Sequence, residues 1–113
     1  MPLEHVTTIL QGVPVHAIRG RVDSASAGDM EKALQPLFAE TGERAIVDLS
    51  ALDYISSAGL RVVLLVAKRA KQTQGRLMLC SLSPQVREVF EISGFLKILD
   101  VAPDPAAALA ALN

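Results

Sequence analysis

The segment Tyr54–Leu60, YISSAGL, places two adjacent serines between an apolar run and a strong helical pattern. Before it, Arg44–Leu49 is a short apolar burst typical of a buried strand. After it, apolar residues recur at helical spacing and predict a helix from Ala58 to Thr73. Ser56 and Ser57 therefore lie where the chain passes from a strand into a helix.

The flanking sequence predicts further strands and helices in alternation. Glu4–Arg19 is typical of two strands joined at a hairpin turn. Cap-type residues at 23–26 predict a helix that Pro36 kinks or divides and that Gly42 ends. The remaining predicted elements are a strand at Leu77–Cys80, a helix opening at Ser83-Pro84 and ending at Ser93-Gly94, a short strand at Leu96–Leu99 and a weak helix over residues 106–113.

The predicted order is β-β-α-β-α-β-α-β-α, which indicates an α/β fold with a small mixed sheet, mostly parallel with an antiparallel hairpin. At 113 residues the chain suits one domain, so we expect residues 1–113 to form a single domain. Hydrophobic residues make up 50% of the chain, which is enough to form a core.

Composition and charge argue against several classes of protein. The chain has 11 Lys and Arg residues and 12 Asp and Glu residues. It therefore lacks the excess of positive charge that direct nucleic-acid binding requires. A single cysteine forms no internal disulfide. The first ten residues do not resemble a signal peptide, and no apolar run is long enough to span a bilayer. We expect a cytoplasmic protein without membrane insertion.

The paired serines have four possible roles: helix caps, a nucleophile, a phosphate cradle or a modification site. The nucleophile-elbow string G-x-S-x-G and the glycine-rich phosphate loops do not occur, and both histidines, His5 and His16, belong to the predicted hairpin. Cys80 and the histidines lack metal-ligand spacing. We therefore predict no catalytic residue, metal or cofactor; a serine or nucleotide hydrolase is the least favoured alternative.

The predicted helix places its polar residues on one side. On a helical wheel Ser57, Arg61 and Lys68 share the side opposite the packed face, and Leu64 and Leu65 flank this stripe. We interpret Arg61, Leu64, Leu65 and Lys68 as a partner-binding face, with Ser57 as an accessible hydroxyl group beside it. A phosphate on Ser57 would add about 1.5 to 2 negative charges there, which the helix N-terminus tolerates and a packed partner does not.

The sequence from Ala45 to Leu99 resembles the STAS domain of bacterial anti-sigma factor antagonists. The resemblance is carried by IVDLSALDYISSAGLRVVLLVAKRAK (residues 46–71) and GRLMLCSLSPQVREVFEISGFLKIL (residues 75–99). GRVDSASAGDM (residues 20–30) also fits the family. The implied fold is a small sheet with helices mostly on one face, and the implied function involves no catalysis by this chain.

The resemblance implies a phosphorylation site at Ser57. In the family an anti-sigma factor that is also a GHKL-type serine kinase phosphorylates this serine, and a PP2C-type phosphatase removes the phosphate. The unphosphorylated form binds the anti-sigma factor and frees the sigma factor. Ser56 stands where many members have Asp, and Asp23, Asp48 and Gly59 are expected near the phosphorylation site.

The same resemblance leaves an alternative output open. STAS proteins also switch secretion or signalling partners, or serve as small subunits of lipid-transport complexes. The serine motif does not separate these outputs.

Overall fold

The computed structural model describes residues 3–113 as one sheet with helices on both faces. The strands are β1 (Glu4–Leu10), β2 (Val13–Val22), β3 (Arg44–Asp48), β4 (Leu52–Ile55), β5 (Arg76–Cys80) and β6 (Val101–Ala102). The helices are α1 (Ala27–Leu34), α2 (Ser57–Gln72), α3 (Pro84–Ile92) and α4 (Pro105–Leu112), with a 3-10 turn at Phe95–Lys97. The mixed α/β class and the initial hairpin are thus confirmed.

The long strand β2 organises the sheet. The strand order is β1-β2-β3-β5-β6, and β1 pairs with β2 antiparallel while the other pairs are parallel. The first half of β2 pairs with β3, with Ala17 opposite Asp48. Its last residues pair with β4, with Val22 opposite Ile55. One strand thus joins the main sheet to the short strand that precedes α2.

The two faces of the sheet carry different helices. Because side chains alternate along a strand, neighbouring residues of β3 and β5 contribute to different cores. Val47 and Leu79 belong to the cluster that buries α1, α2 and α3. Ile46 and Met78 belong to a smaller cluster that buries α4. The predicted arrangement, with helices mostly on one face, is confirmed.

The prediction of a strand at Leu96–Leu99 is wrong. Gly94 adopts the left-handed conformation with φ 77°, and the chain then forms the 3-10 turn. Leu99 is buried whereas Ile98 is 69% exposed, so the apolar run packs as a turn. The last strand, β6, begins at Val101 beside β5. A short apolar run does not by itself distinguish a strand from a turn.

The structure also differs from the sequence prediction by one additional strand and by the end of α1. The strand β4 is an additional element between β3 and α2. The helix α1 ends at Leu34, two residues before Pro36, and does not continue to Gly42. Proline has no backbone N–H and disfavours helical geometry in the residue before it. Phe38 is still buried, although its φ of 62° is not helical, so its apolar character extended the helical pattern past the true end.

Candidate functional site

Ser56 caps α2. Its backbone is extended (φ −87°, ψ 172°), and its hydroxyl oxygen accepts a hydrogen bond from the Gly59 backbone N–H at 3.2 Å. Its own N–H donates to the Val22 carbonyl at 2.7 Å. The side chain thus satisfies a free N–H of the first helical turn, while the backbone ties the helix start to the end of β2.

Ser57 is the first residue of α2, and its side chain is exposed. Within residues 3–113 its hydroxyl group has no hydrogen-bond partner, because Ser56 already provides the cap. The adjacent serines therefore have different roles: one is structural, and the other presents a free hydroxyl group to solvent.

Gly59 allows the first turn of α2 to lie directly on the sheet. A Cβ atom at this position would lie 2.6 Å from Val22 Cγ1 and 2.7 Å from Ile55 Cγ1. Both distances are shorter than side chains tolerate without moving, and both neighbours are buried. Glycine at position 59 therefore fixes the height of Ser57 above the sheet.

The proposed partner-binding face of α2 is mostly exposed. Arg61, Leu65 and Lys68 are exposed, and Leu65 retains 47% of its accessible surface. Leu64 is partly buried because it packs against the core beneath α2. Ser57 and Arg61 lie one turn apart at the N-terminal end of this face, and Lys68 lies two turns beyond Arg61.

Asp23 lies at the same end of the sheet as the two serines. It directly follows Val22, whose carbonyl accepts the Ser56 N–H. Its Oδ1 accepts hydrogen bonds from the backbone N–H groups of Ala25 and Ser26, both at 3.0 Å, and from the Ser26 hydroxyl. The hydrogen bonds from Ser26 hold the pKa of the Asp23 carboxyl below its usual value. This carboxylate orders the loop that leads into α1.

Asp48 is the last residue of β3, and its expected proximity to Ser57 stays a prediction. Its Oδ1 accepts a hydrogen bond from the Ser50 N–H at 3.0 Å. Asp48 lies two residues after Ile46 in β3, so both side chains point to the same face of the sheet. That face is covered by α4 and is opposite α2. The partner of Asp48, Ala17, precedes Val22 by five positions, roughly 15 Å along β2. The residue that pairs with Asp48 thus precedes, along β2, the residue that binds the start of α2.

The sequence interpretation missed a contact between two side chains near the start of α2. Arg21 pairs with Tyr54 across β2 and β4, and the guanidinium carbon lies 4.7 Å from the centre of the Tyr54 ring. Both side chains are exposed and adjoin the Val22–Ile55 pair beneath α2. No local sequence signal could have found them, because the contact depends on strand pairing across more than thirty residues.

The histidines and the cysteine do not join the site. His5 Nε2 lies 3.0 Å from His16 Nδ1, and His16 precedes Val22 by six positions, roughly 20 Å along β2. Burial, reinforced by the charge of His5, lowers the pKa of His16. Cys80 is fully buried, and burial raises the pKa of its thiol to about 11.

The described part of the chain offers neither a metal-binding cluster nor a membrane-spanning helix. No group of three or more His, Cys, Asp or Glu side chains in residues 3–113 could hold a metal ion. None of the helices in the same range is both long and apolar enough to cross a bilayer.

The STAS domain model matches residues 5–108. A relative from Bordetella bronchiseptica, BtrV, named as a candidate anti-sigma factor antagonist, is 53% identical over 104 residues, which cover 92% of this chain and 90% of the relative. These matches rest on sequence and span almost the whole domain.

Solved structures share the fold. The crystal structure of an anti-sigma factor antagonist from Mycobacterium paratuberculosis superimposes with a TM-score of 0.87 at 23% identity, over 97% of this chain and 93% of that one. SpoIIAA, a Bacillus cell-fate determinant solved in its phosphorylated form, gives a TM-score of 0.67 at 20% identity, over 98% and 99% of the two chains.

Proposed function

Because the chain belongs to the STAS-domain family of anti-sigma factor antagonists, we propose that it acts by partner switching controlled at Ser57. The unphosphorylated form binds an anti-sigma factor and thereby releases the sigma factor. Phosphorylation of Ser57 abolishes that binding. The anti-sigma factor is itself the GHKL-type serine kinase, and a PP2C-type phosphatase restores the binding form.

The free, exposed hydroxyl group of Ser57 carries this proposal. A kinase must reach the hydroxyl oxygen, and this oxygen has no hydrogen bond to break in residues 3–113. Ser56 does not offer the same access, because it is partly buried and its oxygen caps Gly59. The two serines therefore differ as substrates although they are neighbours.

The helix that carries Ser57 suits a phosphate. The first turn of α2 contains no acidic residue, so the helix itself places no carboxylate at the positive end of its dipole. A phosphate of about −1.5 to −2 charge is favourable at such a position. The fold is thus expected to survive modification, while a partner packed on Leu65 and Arg61 must face the new charge.

The proposal assigns no catalytic step to this chain. Residues 1–113 act as a single STAS domain that serves as a kinase substrate and a binding partner. It needs no metal or cofactor and does not contact nucleic acid or insert into membranes. Sigma factors act in the cytoplasm, which is where we place the switch.

Phosphopeptide mapping tests the modification step. The purified protein is incubated with host lysate and Mg-ATP, and its intact mass is measured before the peptides are mapped. We expect one added phosphate, located on Ser57, because only this serine of the pair is free. The Ser57→Ala variant should gain no phosphate, whereas the matched Ser56→Ala variant should still be modified. No phosphate, or phosphate confined to other positions, would contradict the proposal.

A further inference from the structure

We propose that Arg61 is the intramolecular ion-pair partner of a phosphate on Ser57, so that modification withdraws this arginine from the partner-binding face. The inference rests on the proposed function for its biological role. Its physical content, an ion pair within α2, depends only on the helix itself.

Spacing along α2 supports this ion pair. Ser57 and Arg61 are separated by four positions and are both exposed on the same side of the helix. Side chains at this spacing are neighbours, with about 5–6 Å between their Cβ atoms. The anion would be N-terminal to the cation, which is the favourable order for such pairs. The guanidinium group can also donate two hydrogen bonds to phosphate oxygens.

Arg61 is available for this role. The ion pair found in residues 3–113 joins Arg87 to Glu91 on α3, so Arg61 has no carboxylate partner in the described chain. The sequence of α2 contains Arg61, Lys68, Arg69 and Lys71 but no acidic residue. An anion placed on Ser57 therefore meets no competing negative charge from its own helix.

The other nearby cations are less suitable. Arg21 is held over the ring of Tyr54 and interacts with Asp23. Arg69 donates a hydrogen bond to the Gln35 carbonyl at 2.7 Å. Lys68 is eleven positions from Ser57, about 16 Å along the helix axis. Arg61 is thus the cation of α2 within reach of the phosphate.

The consequence is a second way in which phosphorylation weakens binding. In the unmodified protein Arg61 is free to contact an acidic group of the partner. Once Ser57 is phosphorylated, the phosphate binds the same guanidinium group on the surface of α2. The partner then loses a contact in addition to facing the charge of the phosphate.

A phosphate titration tests the ion pair without a kinase. Phosphoserine is placed at position 57 by nonsense suppression, and the second pKa of the phosphate is measured by ³¹P NMR at low ionic strength. An ion pair lowers this pKa because it favours the dianion. We expect Arg61→Gln to raise the phosphate pKa by about 0.3 unit, as for an exposed i,i+4 pair.

Control variants identify the pair. Arg61→Lys should retain most of the lowered pKa, and Lys68→Gln should leave the pKa unchanged. Equal phosphate pKa values in the parent and in Arg61→Gln would overturn the inference, as would an equal shift in Lys68→Gln. Absence of kinase-dependent phosphate on Ser57 would overturn the proposed function instead, and this titration would be unaffected by that result.

Discussion

At the scale of single residues, the adjacent Ser56 and Ser57 differ in what their hydroxyl groups bind. The hydroxyl oxygen of Ser56 accepts the Gly59 N–H, whereas that of Ser57 is free within the described chain. Sequence alone placed both serines at a helix entrance and left four roles open. The assignment of the cap needed the backbone conformation of Ser56, because either serine could have preceded the first helical residue.

The two serines should contribute differently to stability. Ser56→Ala should lower the free energy of unfolding by about 1 kcal/mol, because it removes the cap of α2. Ser57→Ala should change it by less than about 0.5 kcal/mol, since no hydrogen bond is lost. Urea unfolding followed by circular dichroism measures both values.

The cap of α3 provides a matched control. Ser83 accepts the Val86 N–H at 3.3 Å, so Ser83→Ala should cost about as much as Ser56→Ala. If Ser57→Ala were the more destabilising member of the pair, the roles assigned to the two hydroxyl groups would be reversed.

At the scale of elements, the position of α2 depends on close contact with β2 and β4. Gly59 lies against Val22 and Ile55, the last paired residues of these strands. This contact brings the helix N-terminus to the end of β2, where Ser56 binds the Val22 carbonyl. The exposed face of α2 is therefore set by a packing contact on its buried side.

Replacing Gly59 should disturb this contact. In a helix Gly→Ala normally adds up to about 1 kcal/mol of stability, but overpacking a core costs about 1–3 kcal/mol. We expect a net loss for Gly59→Ala, because the new Cβ would lie 2.6 Å from a Val22 methyl carbon. Denaturant midpoints provide the measurement.

Gly28 in α1 is the matched control for this substitution. A Cβ there would meet no atom within 4 Å, so Gly28→Ala should raise stability. A stabilising Gly59→Ala would show that the α2–sheet contact is looser than the structure indicates.

Elements with strong periodicity could be predicted from the sequence, and those shaped by distant contacts could not. The periodicity of α2 matched its true range to within one residue at each end. The four-residue strand β4 was missed because its pairing with β2 depends on residues thirty positions earlier. Adjacency to the end of β3 does not say on which face of the sheet Asp48 lies, and the structure places it on the α4 face. The sequence did contain an indication of this face, because Asp48 follows the buried Val47 and successive side chains of a strand point to opposite faces.

At the scale of the whole molecule, the two faces of the sheet carry helices of different character. α4 covers one face with Ala108, Leu109 and Leu112, whereas α2 on the other face exposes cations and Leu65. The chain has a net charge of −1, but α2 has four basic residues and no acidic one. The positive charge of α2 suits binding to an acidic surface of a partner. Adding a phosphate to the helix would weaken that binding.

The most direct test of partner switching is the affinity of the two forms for one captured partner. The Ser57→Ala variant is used to isolate the anti-sigma factor from host lysate, and the dissociation constant is then measured for unmodified and Ser57-phosphorylated protein. We predict that phosphorylation weakens binding at least about 30-fold, as for an opposed charge of 2 kcal/mol or more at an interface. Equal affinity of the two forms would contradict the switch.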